Sequence, residues 1–151
     1  MLTLTFSAPI AAYSTAPRLQ HRLTDDRPSR TAILGLLRCA MGIPRDVPSP
    51  DLDALTITVQ DASYAERSRD FHTIRNAITY DGSPGRNAIT TRHYLTESCA
   101  TVNIQGPAPI LNRIQAALAK PYWQLYLGRR SCVPDRPVLQ AAAMFQQSVA
   151  E

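Results

Sequence analysis

The chain has 151 residues, a hydrophobic fraction of 44% and a net charge of +4, which suits one domain with a core rather than two domains. No apolar run approaches the roughly 20 residues of a membrane span. The first residues lack the basic and apolar segments of a signal peptide. We therefore expect a cytoplasmic protein that makes no membrane contact.

Cysteine and arginine usage narrows the function classes. Cys39, Cys99 and Cys132 lie far apart without C-x-x-C spacing, which disfavours a zinc ribbon or a redox motif and favours reduced, buried thiols. Of the 16 basic residues only Lys120 is a lysine. The planar fork of arginine suits phosphates and base edges, but a GC-rich genome produces the same bias. Composition therefore permits a nucleic-acid partner without requiring one.

The first part of the chain predicts a strand, a loop and a helix. Residues Leu2 to Ala8 alternate like a strand, and residues 13–28 form a long polar segment typical of a functional loop. A helix follows, with Ser29 or Thr31 as a candidate cap and Gly42 as its stop. Gly35 lowers the stability of this helix relative to alanine, so we expect a close packing contact there.

The middle of the chain predicts a second strand, an excursion and a third strand. The second strand is "LDALTITVQD", residues 52–61. Residues 61–93 are rich in Arg, Asn, Thr and Tyr and carry a turn signal at "YDGSPG", so we expect a hairpin that leaves the core. In the third strand the inward residues are Ala100, Val102 and Ile104.

The last part predicts a helix and a fourth strand. Apolar residues recur at helical spacing over residues 106–121, and "YWQLYLG", residues 122–128, alternates like a strand. The complete order indicates an α+β, ferredoxin-like (RAMP/RRM-like) β-α-β-β-α-β domain with an inserted β-hairpin thumb. We assign residues 1–138 to this domain, about 61–93 to the insertion, and 139–151 to a short carboxy-terminal helix or tail.

Signals for catalysis are weak. A general acid–base ribonuclease could use His72 or His93 with Tyr80 or Tyr94, but the spacing does not require it. The sequence has no phosphate-cradling P-loop, and its acidic clusters are typical of caps or turns. We therefore expect no bound metal and no cofactor.

Signals for RNA binding are stronger. "RSRDFHTIR" (67–75) and "RNAITTRHY" (86–94) mix arginines with flat side chains, the combination that holds single-stranded RNA by its phosphates and bases. A solvated polar hairpin is the alternative. In "LGRRSC", Gly128 would let the backbone approach a ligand. Arg129 and Arg130 would then point to opposite sides, one toward phosphate and the other toward a carboxylate of the fold.

Four segments resemble a known family in the order in which they occur: "PSRTAILGLLRCAMGI", "RDFHTIR", "TTRHYLTESCATVNI" and "KPYWQLYLGRRSCVPDRPV". Together they are similar to CasD, the subunit of the type I-E CRISPR interference complex (Cascade) that binds the crRNA 5′ handle. The resemblance runs from about Met1 to Val138.

The resemblance implies a RAMP-type fold and a non-catalytic subunit that caps one end of the complex. Its expected partners are the crRNA 5′ handle, the adjacent backbone subunit through a thumb at Ile74 to Thr90, and the large subunit. Target DNA is reached only through the complex. The residues expected to bind RNA are Arg30, Arg69, His72, Arg75, Arg92, Tyr94, Arg129, Arg130 and Ser131.

The chain also departs from the family pattern. "AAYS", residues 11–14, replaces a Gln-(Ser/Ala)-Trp-Gly motif, so we expect Tyr13 to stack in place of the tryptophan. Typical members continue for several strands after the "GRRSC" turn. Two alternative functions stay open, namely a metal-independent endoribonuclease that processes repeat RNA and a protein scaffold without RNA contact.

Overall fold

The computed structural model describes residues 1–14 and 20–139, so the predicted carboxy-terminal helix or tail lies outside the described residues except for Leu139. Within these residues the helices are α1 (Arg30–Met41), α2 (Pro50–Asp53) and α3 (Ala108–Ala119). The strands are β1 (Leu2–Ala11), β2 (Tyr13–Ser14), β3 (His21–Arg22), β4 (Thr24–Asp25), β5 (Thr56–Ser63), β6 (Arg67–Ile74) and β7 (Ala88–Gln105).

The sheet is organised around β7, an 18-residue strand. Its second half pairs antiparallel with both β1 and β5, which must therefore lie on opposite sides of it. Its first half pairs antiparallel with β6 and, over two residues, parallel with β3. The hairpin of β6 and β7 is the excursion that the sequence predicts, and the fold is α+β and ferredoxin-like.

The two long helices pack against each other and contribute to one hydrophobic core. The Ser29 hydroxyl accepts a hydrogen bond from the Ala32 amide (3.2 Å), and Gly42 ends α1 in a left-handed conformation with a φ of 69°, so both predicted ends of this helix are confirmed. The inward residues predicted for the third strand are buried as expected: Ala100, Val102 and Ile104.

The backbone of β7 is irregular at one residue, which lies between the part in the core and the part in the hairpin. Glu97 has a φ of +48° inside the strand. On one side of it the buried residues occupy even positions, including Ser98 and Ala100, whereas on the other side Leu95 is buried. The buried positions shift by one residue on β1 as well, since Ser98 and Leu95 pair with the buried Ala8 and Ala11, so the pairing register stays the same and no residue is inserted. The strand thereby leaves the core while it keeps its pairing.

The predicted fourth strand at residues 122–128 is wrong. Tyr122 and Trp123 instead donate their amides to the carbonyls of Ala40 (2.9 Å) and Cys39 (3.3 Å), which lie in the last turn of α1. The open edge of β1 is contacted by a later segment, because the Asp135 amide donates to the Ser7 carbonyl at 2.9 Å. Alternation in "YWQLYLG" therefore reflects packing at a helix end, where carbonyls need donors.

Gly128 approaches the protein's own backbone rather than a ligand. Its φ is +93°, and a Cβ built there would lie 1.6 Å from the carbonyl oxygen of Ala12. The neighbouring Leu127 carbonyl accepts a hydrogen bond from the Ala12 amide at 3.1 Å. The glycine therefore fixes the Gly-Arg-Arg turn against the end of β1.

Replacing Gly128 with alanine should lower the free energy of unfolding by at least about 3 kcal/mol, because a backbone clash adds to an unfavourable φ. Gly82→Ala is the matched control, since Gly82 has a φ of +83° but open space around its Cβ position. Only about 1 kcal/mol should be lost there. Urea unfolding of both variants measures the difference, and equal losses would contradict the clash.

Tyr13 is buried, with 1% of its surface exposed; that it stacks in place of the tryptophan stays a prediction. Its amide donates to the Thr24 hydroxyl at 2.8 Å, which joins β2 to β4. Burial raises the pKa of Tyr13 to about 12 from 10.0. The folded state therefore favours the neutral phenol.

This raised pKa predicts a loss of stability in alkali. The contribution is fully present below pH 10.0, the unfolded pKa, and is lost as the pH rises through the folded pKa of about 12; it amounts to about 2–3 kcal/mol. Tyr13→Phe should lack this component. Urea midpoints measured across that window test it, and parallel pH profiles of the variant and the unmodified protein would refute it.

Candidate nucleic-acid interface

The side chains of the β6–β7 hairpin divide between two faces. Residues directly opposite one another in an antiparallel pair share a face, so Arg69 lies with its partner His93. The other face, called here the Arg92 face, carries Asp70, His72, Thr90, Arg92 and Tyr94. The predicted site residues on the hairpin therefore do not all point the same way.

Arg92 is the central cation of the Arg92 face. It lies opposite Asp70 on β6 and in parallel register with Arg22 on β3. Its Nε atom and the hydroxyl of Thr90 are buried and have no hydrogen-bond partner among the described residues. A buried donor without an acceptor costs about 1–3 kcal/mol. A phosphate oxygen is an acceptor that would satisfy the guanidinium with a charge-assisted hydrogen bond.

His72 lies beside a carboxylate on the same strand. Its Nδ1 atom is 3.8 Å from Oδ2 of Asp70, and both side chains are about half exposed. His93 belongs to the opposite face of the hairpin. The two histidines therefore do not converge on one acid–base site.

The Arg129 side chain contacts both β3 and β7. Its guanidinium donates to the carbonyls of His93 (3.2 Å) and Arg22 (3.0 Å) and lies 4.6 Å from the centre of the Tyr94 ring. The turn is thereby tied to β7 and β3 by two hydrogen bonds and a cation–π contact. The expected carboxylate partner is wrong, because backbone carbonyls and a ring take its place.

Arg130 and Ser131 are exposed at the same turn. None of the hydrogen bonds or ion pairs between described residues involves the Arg130 side chain. It lines an open cleft with Cys39, Trp123 and Tyr126. The two adjacent arginines therefore differ, one being internal to the fold and the other available to a ligand.

The remaining predicted residues are spread more widely. Arg30 donates to the carbonyls of Leu55 (2.9 Å) and Asp53 (2.7 Å), which holds α1 against the end of α2. Arg75 is exposed just beyond β6. For Arg30, Arg69 and Arg75 an RNA contact stays a prediction.

Two further arginines act near the hairpin without having been singled out as site residues. Arg22 adjoins Arg92 through the two-residue strand β3. Arg67 donates to the Thr24 carbonyl (2.8 Å) and forms an ion pair of 2.5 Å with Asp26. A hydrogen bond from Tyr64, and then the Arg67 guanidinium, hold the pKa of Asp26 below its usual range. No sequence pattern in this polar segment signals either contact.

The described part of the chain contains neither a metal-binding cluster nor a membrane-spanning helix. Residues 1–14 and 20–139 contain no group of three or more His, Cys, Asp or Glu side chains placed to hold a metal ion. None of the helices described there combines the length and hydropathy that a membrane crossing needs.

The fold and the hairpin together define a ferredoxin-like protein of the RAMP type. A family model described as "CRISPR-associated protein (Cas_Cas5)" matches residues 1–149. The chain therefore belongs to the Cas5 family of CRISPR-associated proteins, and the resemblance to CasD is confirmed.

Individual relatives agree with this assignment. "CRISPR system Cascade subunit CasD" of Escherichia coli (strain K12) is 31% identical, over 91% of this chain and 68% of its own length. A chain of a solved "CRISPR RNA-guided surveillance complex" is 32% identical with a TM-score of 0.77, over 91% of this chain and 61% of that chain. A structure titled "Crystal structure of Cas protein" is 24% identical with a TM-score of 0.67, over 98% and 66%, and supports the fold alone. The chain thus spans about two thirds of the length of these relatives.

The contacts of Arg129 predict that its loss lowers the free energy of unfolding more than the loss of Arg130 does. Arg129→Ala should lower the free energy of unfolding by about 2–3 kcal/mol, because two hydrogen bonds from a charged group and a cation–π contact are lost. Arg130→Ala, which removes the same charge from an exposed position, should change it by less than about 0.5 kcal/mol. Urea unfolding compares the two variants, and equal stabilities would show that the hydrogen bonds and the cation–π contact of Arg129 contribute nothing.

Proposed function

We propose that this protein is a non-catalytic, crRNA-binding subunit of a type I-E CRISPR Cascade complex in antiviral defence. In this proposal it grips the repeat-derived 5′ handle and caps one end of the backbone filament. Membership of the Cas5 family supports the complex, and the similar chain in a "CRISPR RNA-guided surveillance complex" supports it further. Arg92, whose Nε atom has no hydrogen-bond partner among the described residues, is the observation that carries the RNA contact.

The chemistry of the Arg92 face suits single-stranded RNA. Arg92 and Arg22 place two cations side by side, which matches the phosphate backbone in charge. Tyr94 adds a half-buried aromatic ring on the same face, with Arg129 against it. Phosphate contacts combined with a flat stacking surface are how proteins hold splayed nucleotides.

The tip of the hairpin suits a protein partner. Ile78 is 77% exposed and Tyr80 is fully exposed, and both lie between the end of β6 and the start of β7. Exposed aromatic and aliphatic side chains at a projecting tip are typical of a contact with another subunit. In this proposal the tip touches the adjacent backbone subunit, while the large subunit is a further neighbour and target DNA is reached only through the complex.

A cleavage function is the second candidate, and one contact favours it. His72 lies near Asp70 on the same face as Tyr94, so an acid–base group is present where RNA would bind. Incubation of the purified protein with repeat RNA separates the two readings. Site-specific cleavage that disappears in His72→Ala would replace the non-catalytic proposal.

The proposed RNA contact predicts a specific effect of Arg92→Met. Methionine keeps much of the apolar stem but removes the guanidinium, so RNA binding should weaken by about tenfold and the salt dependence should fall by about one unit of slope. Stability should not fall, because an unsatisfied donor is removed. Binding to repeat-derived RNA is measured by fluorescence anisotropy over a range of salt concentrations, and thermal unfolding is measured alongside.

The control is Arg113→Met on α3, whose side chain is 61% exposed and 3.6 Å from Asp51. It removes the same charge outside the proposed interface, so affinity and slope should stay unchanged. The parallel test in cells is purification with the products of neighbouring genes and a CRISPR array, followed by sequencing of the bound RNA. A uniform repeat-derived 5′ end that is lost in Arg92→Met supports handle binding. Protein partners without such RNA would instead indicate a scaffold.

A further inference from the structure

A glycine on the surface of α1 has no packing role among the described residues. Gly35 is exposed in the middle of the helix, where glycine is less favourable than alanine. A Cβ built on it would meet nothing within 4 Å, so the packing contact expected from the sequence is wrong. The protein keeps this patch of helix bare although no described side chain or backbone atom requires it.

The bare patch forms one wall of an open cleft of about 680 Å³. We call it the Gly35 cleft and define it by Gly35, Cys39, Arg45, Trp123 and Tyr126, which lie along its walls. The Cys39 thiol donates to the Gln124 carbonyl at 3.3 Å, and this contact holds the loop that carries both aromatic residues against α1. The cleft is therefore built by the segment that the sequence predicts as a fourth strand.

The Gly35 cleft is continuous with the RNA-binding surface proposed above. An adjoining cleft shares Gly35 and Tyr126 with it and extends to Arg22 and Arg129 at the hairpin base. A second adjoining cleft shares Trp123 and Tyr126 with it and extends to Arg130. A strand of RNA that follows the arginines would thus pass over the aromatic side chains.

The aromatic side chains of the cleft offer stacking surfaces for a base. Trp123 is 43% exposed and offers a flat surface, as the half-buried ring of Tyr126 does. Asp53 lines the cleft together with Arg38 and Arg45, so the charge of the cleft does not exclude a phosphate, and the case for a base rests on the stacking surfaces. Stacking on aromatic side chains tolerates every base, because each has a π-face.

We propose that the Gly35 cleft receives one unpaired nucleobase of the bound RNA, which stacks on Trp123 or Tyr126 and lies over the bare backbone at Gly35. This inference rests on the proposed function, because the RNA is the one gripped at the hairpin base. It adds a subsite on a different element and specifies a base rather than a phosphate as its ligand.

Trp123 provides a direct probe, since it is the only tryptophan in the chain. The full-length protein is titrated with a short, labelled single-stranded RNA of repeat sequence. Anisotropy reports binding, and tryptophan fluorescence reports stacking. Binding should quench Trp123, and a set of RNAs with one abasic position each should include one that still binds but no longer quenches and has roughly tenfold lower affinity.

Gly35→Ala tests the bare wall independently. The added methyl group meets no protein atom, so the melting temperature should rise by about 2–4 °C, whereas affinity for the RNA should fall by roughly tenfold because the methyl group occupies the place of the base. Gln115→Ala, an exposed substitution on α3, should leave affinity unchanged. A merely structural glycine would not combine higher stability with weaker binding.

The outcomes separate the two proposals. RNA that binds without quenching Trp123, and that binds Gly35→Ala as tightly as the unmodified protein, would overturn the base subsite and leave handle binding intact. The cleft would then be a surface for a protein neighbour. An unmodified protein that binds no RNA at all would overturn both.

Discussion

The proposed RNA interface depends on β7, a long strand that belongs to both the core sheet and the hairpin. β7 pairs with β1 and β5 in the core and then continues as one arm of the hairpin. The pairing register between β6 and β7 decides which side chains of the hairpin share a face, so a shift of one residue would exchange Arg92 for His93. The position of the proposed RNA-binding residues is thus set by the register of a buried strand rather than by the hairpin itself.

The Gly-Arg-Arg turn connects this strand to the helical side of the molecule. Gly128 contacts the Ala12 carbonyl, and Arg129 binds two further carbonyls and the Tyr94 ring. Its guanidinium has therefore found partners inside the fold. Arg130 has no such partner among the described residues, although it is the next residue, because a tight turn directs successive side chains to different surroundings. Two identical residues side by side thereby acquire different tasks.

The sequence correctly predicted those elements that depend on neighbouring residues, such as helix caps and turns. The caps Ser29 and Gly42, the alternation around Val102, and the turn-rich excursion all follow from residue type and spacing. The fourth strand predicted at residues 122–128 was wrong because strand-like alternation also occurs where aromatic side chains pack at a helix end. The two-residue strand β3, which places Arg22 beside Arg92, has no local signal because its pairing partner is about 70 residues away. For the same reason the sequence could nominate Arg129 and Arg130 together but could not divide their roles.

Two features of the molecule cost stability without any internal contact in return. Arg92 keeps a buried Nε atom without a partner in the described residues, and Gly35 leaves a helix surface bare. Either one alone could be an imperfection of the fold. However, Gly35 lines a cleft that extends to Arg22 and Arg129, and Arg22 is in register with Arg92. Locally unfavourable residues that lie close together are characteristic of a site shaped for a ligand. In the proposed function one RNA strand would satisfy both, since a phosphate would accept from the Arg92 guanidinium and a base would cover Gly35.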